Sequence, residues 1–583
     1  MSSQHPSGRQ EDLAAYHHRL RHTAAHVMAA AVVELFPDAK LGIGPSIEDG
    51  FYYDFLLPRP LTPEDLEAIA TGMKAQIAAK LPMQRRELSR SEAHTLFSGQ
   101  PFKLEVLEGI AADTLISTYR HGSFEDLCEG PHVASTAEVK AFKLLSIAGA
   151  YWRGDEHRPM LQRIYATAFE SQEALDDYVH IREEAERRDH RKLGKELDLF
   201  MMDPVAPASP FYLPKGTIVY NQLVEYVRGL YKLYGYQEVI TPQIFDMDIW
   251  KRSGHYDHYK DNMYLVATDE EREFGLKPMN CPAHAIMFGS QVHSYREMPL
   301  RFADFGRLHR YERSGVVQGL TRVRTFVQDD AHIFCTPGQI DGEIHSLVKM
   351  FHDTYRLFNF DRTRIVLSLR PDSRIGSEEM WDRAEGILRD ALAKEGLKYQ
   401  EAPGEGAFYG PKVDFMVPDA IGREWQLGTI QLDFNLGQRF DLEYVAEDGS
   451  RQHPVVLHRA MLGSLDRFMG VLIEHYAGAF PVWLAPVQAV VIPIADRHTA
   501  YARQVEQRLK DEDIRVLVDD RSDRMNSKIR DAQMQKIPYM LVVGDREAES
   551  KAVAVRLRSG ENPGAMPFEQ AVAAINGAIA SKT

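Results

Sequence analysis

Cys281, His332 and His458 are the residues of this chain best equipped for chemistry, because one thiol and two imidazoles are one soft and two borderline ligands for a single divalent ion. Each lies in a short polar segment: KPMNCPAHA, FVQDDAHIFC and PVVLHRAMLGSLDRF. Three protein ligands leave a coordination position for substrate, as a catalytic or substrate-binding Zn²⁺ requires, whereas a structural site closes its tetrahedron with a fourth side chain. The competing reading of the same residues is a buried free thiol with two hydrogen-bonded histidines. A second group lies near the start. RHTAAH places His22 and His26 one helical turn apart on one face, and LCEGPH adds Cys128 and His132. By ligand count, those four also look like a complete zinc site.

The chain that must position these groups has 583 residues, too many for one core, and implies roughly three or four domains. Its three cysteines, Cys128, Cys281 and Cys335, exclude a disulfide scaffold and imply reduced thiols. No run of eighteen apolar residues occurs, and MSSQHPSGRQEDLAAYHHRL has no apolar signal core, so a soluble cytoplasmic protein with no membrane partner is expected. A net charge of −15 argues against indiscriminate duplex binding. Local arginine-rich runs, RLHRYERSG with TRVRTF and DDRSDRMNSKIRDAQMQK, still offer positive surface for nucleic acid.

Pattern divides the chain into a first α+β domain at 8–170, a helical linker at 171–202, a large unit at 203–481 and a C-terminal unit at 482–583. The first opens with a helix from Glu11 to Leu35, then the strand FYYDF, then a helix over 62–80 begun by Thr62. Residues 171–198 read as one charged surface helix. In the large unit, strands such as RIVLSL, AFYGPKVDFMV and REWQLGTIQLDFNL lack a regular helix between each pair, which favours a mainly antiparallel sheet. The C-terminal unit alternates VQAVVIPI, IRVLVDD and YMLVVGD with helices over about 497–510 and 524–535, giving an α/β domain with KAVAVRLR as a further strand. No GxGxxG or GxxxxGKS occurs, so neither a dinucleotide fold nor a P-loop enzyme is supported.

FGRLHRYERSG followed by GLTRVRTFVQDDAHIF resembles the second signature of class II aminoacyl-tRNA synthetases, and GSLDRF resembles the third. With KPMNCPAH, YGPKVDF, GTIQLDF and HRAMLGS, the chain resembles the threonyl-tRNA synthetase family over nearly its whole length, in a form without the family's small N-terminal ubiquitin-like domain. The resemblance implies an antiparallel class II catalytic core, an N-terminal editing domain and a C-terminal anticodon-binding domain. It implies ATP-dependent formation of threonyl-adenylate, transfer to tRNA(Thr), and a homodimer. Arg310 should then bind the α-phosphate, Glu312 receive adenine-side or ATP-loop contacts, Arg467 clamp the nucleotide and its γ-phosphate, and Arg324 add a phosphate contact. Guanidinium forks suit that task because they match phosphate oxygens bidentately and stay charged. Mg²⁺ would share the phosphate charge.

By the same resemblance, Cys281, His332 and His458 hold Zn²⁺ for threonine's amine and hydroxyl, Asp330 accepts the hydroxyl's hydrogen bond, and Gln328, Tyr409, Lys412 and Gln431 line the pocket. Asp329, one residue along a strand, must face the other way. Serine satisfies the same metal, and its missing methyl is worth only about 1–3 kcal/mol, so a second site is needed. The resemblance assigns it to His22, His26, Cys128 and His132, with Lys103 and Asp126, working without zinc although the related alanyl domain holds one. Arg524, Asn526, Lys528 and Arg530 are the expected anticodon contacts. Two rivals are a noncatalytic tRNA-binding relative and a zinc hydrolase of aminoacyl-tRNA. The second would leave the phosphate-type arginines idle.

Overall fold

The computed structural model describes residues 7–111, 114–267, 272–360 and 362–583, with side chains from 13 onward. The chain forms two compact units that divide after Glu183.

In the first unit, the helix Ser7–Leu35 is buried on every side through its middle, where Leu20, Ala24, Val27, Met28 and Ala31 are at most 2% exposed. Its alanines allow neighbouring elements to approach closely, and an all-round apolar helix must lie inside. It packs on the helix Pro63–Ala78, whose N-cap Thr62 accepts from the Asp65 N–H while Asp65 accepts from the Thr62 N–H, a reciprocal capping box. Beneath lies an antiparallel sheet in the order Lys40–Leu41, Gly50–Leu56, Met160–Phe169, Ala141–Tyr151. A second antiparallel sheet, Gln84–Leu88, Ile116–His121 and Phe124–Leu127, delivers the chain directly to Cys128.

The second unit is built on a nine-stranded sheet whose central run is Leu300–Asp304, Thr325–Cys335, Val455–Ser464, Glu424–Asp433, Lys412–Pro418 and Arg364–Ser368. Every pairing in that run is antiparallel, as the patterning predicts; parallel pairs occur only at its two edges. The strand Val455–Ser464 is buried along nearly its whole length, because helices cover one face and the site fills the other. The five-stranded C-terminal sheet is mixed. Its first three strands, Val516–Val518, Ala489–Pro493 and Tyr539–Val543, are parallel, and Ala552–Leu557 and Gly564–Pro567 continue it antiparallel.

The expected single helix over 171–198 is two helices, Gln172–Arg188 and His190–Glu196. Asp189 breaks it: its side chain accepts the Arg191 N–H at 2.8 Å and caps the second helix, a local bond that competes with helix continuation.

Behind the sheet, Asp329 and Arg459 form a fully buried ion pair at 3.1 Å. Asp329 also accepts the N–H groups of Met461, Leu462 and Gly463, and the Arg459 guanidinium lies over the rings of Tyr231 and Tyr236 at 5.3 and 4.7 Å. Removing one partner of such a pair strands a buried charge, at a cost of about 3–5 kcal/mol. Asp329→Ala is therefore expected to lower the unfolding free energy of this unit by about that much, read as a fall in its urea midpoint at constant m, and an unchanged midpoint would show that the pair carries no structural weight.

Candidate functional site

His332 and His458 are opposed in register on neighbouring strands, their rings 4.6 Å apart. The same cross-sheet row continues to Gln431 and then Lys412, so four of the expected residues share one face because side chains at paired positions point the same way. Cys281 enters from the first position of the helix Cys281–Gly289. The ligating atoms of Cys281, His332 and His458 lie within 4.8 Å of one another, and all three residues are buried. Asp330 lies two residues before His332 on the same face, held by Asn280 Nδ2 at 3.0 Å. A register shift between Gln328 and Asp330 accompanies the reversal of Asp329 to the back face. Gln328 itself is half-buried opposite Ser464.

The donor set fits one Zn²⁺. His458 Nε2 lies 3.0 Å from Asp433 Oδ2, so a proton held there leaves Nδ1 with the lone pair, the arrangement of a carboxylate-supported metal ligand. His332 Nδ1 is 2.8 Å from His284 Nδ1, which leaves Nε2 as its other nitrogen. Burial, then His458 and His284, hold His332 well below the ordinary imidazole pKa, so it is neutral as a ligand must be. Burial followed by Asp330 and Asp433 pushes the Cys281 thiol far up. A cation reverses that penalty. The third group of close metal-ligating types, Asp189, His190 and Glu474, has its donor atoms already committed to protein partners.

Tyr409 covers the cluster, its ring 5.0 Å from His458 and its hydroxyl bonded to Gln431 Oε1. Lys412 pairs with Asp414 at 2.8 Å. Alongside lies the hairpin Arg307–His309 and Thr325–Cys335, closed where the Arg310 N–H donates to the Arg324 carbonyl at 2.9 Å. Arg310 lies between the Tyr259 and Phe326 rings and donates to the Pro278 carbonyl. Arg324 donates to the Glu312 carbonyl and lies over Tyr311. Arg467, in the first turn of the helix Leu465–His475, donates to the carbonyls of Thr321 and Gln426. Burial and the neighbouring Arg322 and Arg310 depress its pKa, while Glu312 opposes the shift. Such crowding of guanidinium groups is relieved by an anion.

Sequence reasoning missed several supporting groups. Asn280 and His284 lie inside the quoted KPMNCPAHA segment and were legible as polar residues flanking a ligand. Arg322, 3.0 Å from Glu312, stands in the quoted TRVRTF run. Asp433 stands in the quoted GTIQLDF block, whereas His255, 3.7 Å from the Cys281 sulfur, carried no local signal.

In the first unit, Cys128 Sγ is 3.2 Å from His22 Nε2 and 3.1 Å from His132 Nε2, and His26 packs on His132 at 4.5 Å between ring centres. Lys103 and Asp126 form a buried pair at 2.6 Å, and the Tyr53 hydroxyl, missed from sequence, also donates to Asp126. His22, His26, Cys128, Lys103, Asp126 and Tyr53 line a cavity of about 530 Å³, and His132 stands behind Cys128 outside that lining. Burial holds His26 well below the ordinary imidazole pKa, aided by His22 and Lys103, and pushes the Cys128 thiol up to about 12. Neutral imidazoles beside a protonated thiol can accept a proton from water.

In the C-terminal sheet's second helix, Met525–Met534, Arg524 at the cap, Asn526 and Arg530 are exposed. Lys528 corrects the expectation: it is 4% exposed, on the inward stripe with Ile529 and Ala532, its ammonium near the Pro493 carbonyl, because helical period turns it to the sheet.

Residues 264–476 match the tRNA synthetase class II core domain (G, H, P, S and T), residues 488–577 the anticodon binding domain, and residues 116–165 the threonyl and alanyl tRNA synthetase second additional domain. The fold is therefore that of a class II aminoacyl-tRNA synthetase. Threonine–tRNA ligase from Thermotoga sp. (strain RQ2) is 50% identical over 96% of this chain and 88% of its own, and that from Burkholderia mallei (strain SAVP1) is 52% identical over 94% and 87%. A solved structure described as the RNA binding domain of threonyl-tRNA synthetase from Cryptosporidium parvum Iowa II is 44% identical, with a TM-score of 0.65, covering 67% of this chain and 98% of that one. The chain belongs to the threonine–tRNA ligase family.

Proposed function

We propose that this protein joins L-threonine to tRNA(Thr) at the expense of ATP, through threonyl-adenylate, and hydrolyses seryl-tRNA(Thr) at its N-terminal unit. The observation that carries the first activity is the opposition of His332 and His458 across one sheet face, with Cys281 and Asp330 converging on them. Bound to Cys281, His332 and His458, a Zn²⁺ supplies a Lewis-acid position for the amine and hydroxyl of threonine, which valine cannot occupy in the same way. Asp330, oriented by Asn280, accepts the substrate hydroxyl's hydrogen bond. Gln328, Tyr409, Lys412 and Gln431 close the pocket around the amino acid and adenylate.

ATP arrives as its Mg²⁺ complex. Arg310 takes the α-phosphate, Arg467 and Arg324 hold the rest of the polyphosphate, and Glu312, braced by Arg322, receives the adenine side. These fixed cations stabilise charge that develops at phosphorus as the threonine carboxylate attacks and pyrophosphate leaves. The reaction then ends with acyl transfer to the terminal ribose of the tRNA.

In the N-terminal unit, His22, His26, Cys128 and His132 activate water and orient the seryl ester without a resident metal. The Lys103 ammonium stands within the same cavity, its charge balanced by Asp126 at 2.6 Å. Arg524, Asn526 and Arg530 present the anticodon face, where unstacked bases and phosphates are within reach of one exposed helix surface.

A homodimer in the cytoplasm completes the reading. Ile240 is 91% and Leu233 74% exposed, an apolar surface suited to a second copy. Among the described residues, no helix is long and apolar enough to cross a membrane.

The test is threonine-dependent exchange of pyrophosphate into ATP, followed by charging of purified tRNA with threonine and with serine in parallel. Exchange that does not depend on threonine would overturn the synthetic activity.

A further inference from the structure

We propose that His190, on the helix that follows the break at Asp189, is a positioning residue for the ATP-binding loop; this rests on the synthetase reading above. His190 is 2% exposed and both of its ring nitrogens are engaged. Nε2 accepts the backbone N–H of Leu320 at 2.9 Å, and Nδ1 lies 2.6 Å from Glu474 Oε1. A backbone N–H can only donate, so Nε2 carries the lone pair and the proton sits on Nδ1, directed at the carboxylate. Glu474 is itself immobilised, because it accepts the His190 N–H at 3.1 Å and pairs with Arg423, which is held by Asp419. One tautomer is therefore selected from behind.

The residue that His190 holds begins a run of three with direct bearing on the nucleotide site. Leu320 is pinned by His190. The Thr321 carbonyl accepts from Arg467 Nε at 2.9 Å. Arg322 donates to Glu312 at 3.0 Å. The loop backbone comes as near to the ring as a missing side chain allows. Gly319 has φ +45°, and a Cβ there would stand 2.1 Å from His190 Nε2. A Cβ at Gly470, on the helix that carries Arg467, would stand 3.6 Å from the imidazole Cδ2. A residue 130 positions earlier in the chain thus sets where the Arg467 and Glu312 contacts of the loop can form.

Without an acceptor at Nε2, the buried Leu320 N–H is left unpaired, and the loop loses its fixed point next to Arg467. The consequence falls on ATP and not on threonine, whose proposed ligands stand on the sheet and on the helix Cys281–Gly289.

The test is pyrophosphate exchange by the full chain and three variants, with ATP and threonine varied separately. H190Q places an amide oxygen where Nε2 accepts, H190N keeps a polar group only at the Nδ1 position facing Glu474, and H190A removes both. The KM for ATP is expected to rise about 10- to 100-fold in H190A and H190N, with the threonine KM within about twofold, and to recover largely in H190Q. If Asn restores the ATP KM as well as Gln does, His190 acts only through Glu474 and the proposal fails. It fails equally if the ATP KM is unchanged in all three, or if the two KM values move together. Should H190A not fold, the Gln and Asn pair still decides. Absence of threonine-dependent exchange by the unaltered chain would discard the synthetase reading instead, which separates the two failures.

Discussion

Cys281→Ser is expected to lower threonine-dependent pyrophosphate exchange by at least about 100-fold and to leave the KM for ATP within a few-fold. A serine hydroxyl is a hard donor that does not ionise at working pH, so it cannot replace a thiolate for Zn²⁺. The loss is confined to threonine because the arginines proposed to hold the phosphates are anchored elsewhere: Arg467 on the Thr321 and Gln426 carbonyls, and Arg324 on the Glu312 carbonyl. Metal analysis gives a readout independent of activity. The unaltered chain should hold about one zinc, Cys281→Ser close to none, and Cys128→Ser about one, since the cysteine of the N-terminal cluster is not a zinc ligand in this reading. Full zinc occupancy in Cys281→Ser would sink the assignment of the central cluster. A second zinc lost with Cys128→Ser would make the N-terminal site a metal site.

His26→Ala should slow hydrolysis of seryl-tRNA(Thr) by at least about 100-fold while charging with threonine is unaffected, so that mischarged tRNA accumulates in the presence of serine. The size of the effect follows from how little the central site can do alone. Serine has both the amine and the hydroxyl, and the absent methyl is worth about 1–3 kcal/mol. His26 is 2% exposed and packed on His132, so its replacement removes a proton acceptor and leaves a hole beside the Cys128–His132 contact. A repacked cavity could also slow hydrolysis, and His26→Gln is the control. Gln fills the space but lacks the imidazole, so it should be as defective as Ala. Unchanged deacylation in either variant would remove His26 from the mechanism.

Most of the catalytic sheet was legible because its strands announce themselves by apolar runs, and antiparallel pairing followed from the absence of intervening helices. The break at Asp189 was not. RDHRKLG has no glycine or proline before Gly194, and only the side chain's choice to cap the following helix interrupts the charged pattern. Lys528 was misjudged for a related reason. A basic run marks which residues are charged, but the helix phase, set by Met525, Ile529 and Ala532 against the sheet, decides which of them face water.

By itself the sequence determined the donor types and the facing of neighbours within one strand. Asp330 and Asp329 had to point apart because side chains alternate with period two, and the structure places one with Asn280 at the site and the other with Arg459 behind it. Only the tertiary structure decided which distant residues meet. The pairing of His332 with His458, the Asp433 carboxylate behind His458 and the Leu320 N–H on His190 depend on strand register and on loops closing over more than a hundred residues in two of those three cases. Local spacing fixes direction within an element. Register between elements is chosen by the burial of whole sheet faces, which no single segment encodes.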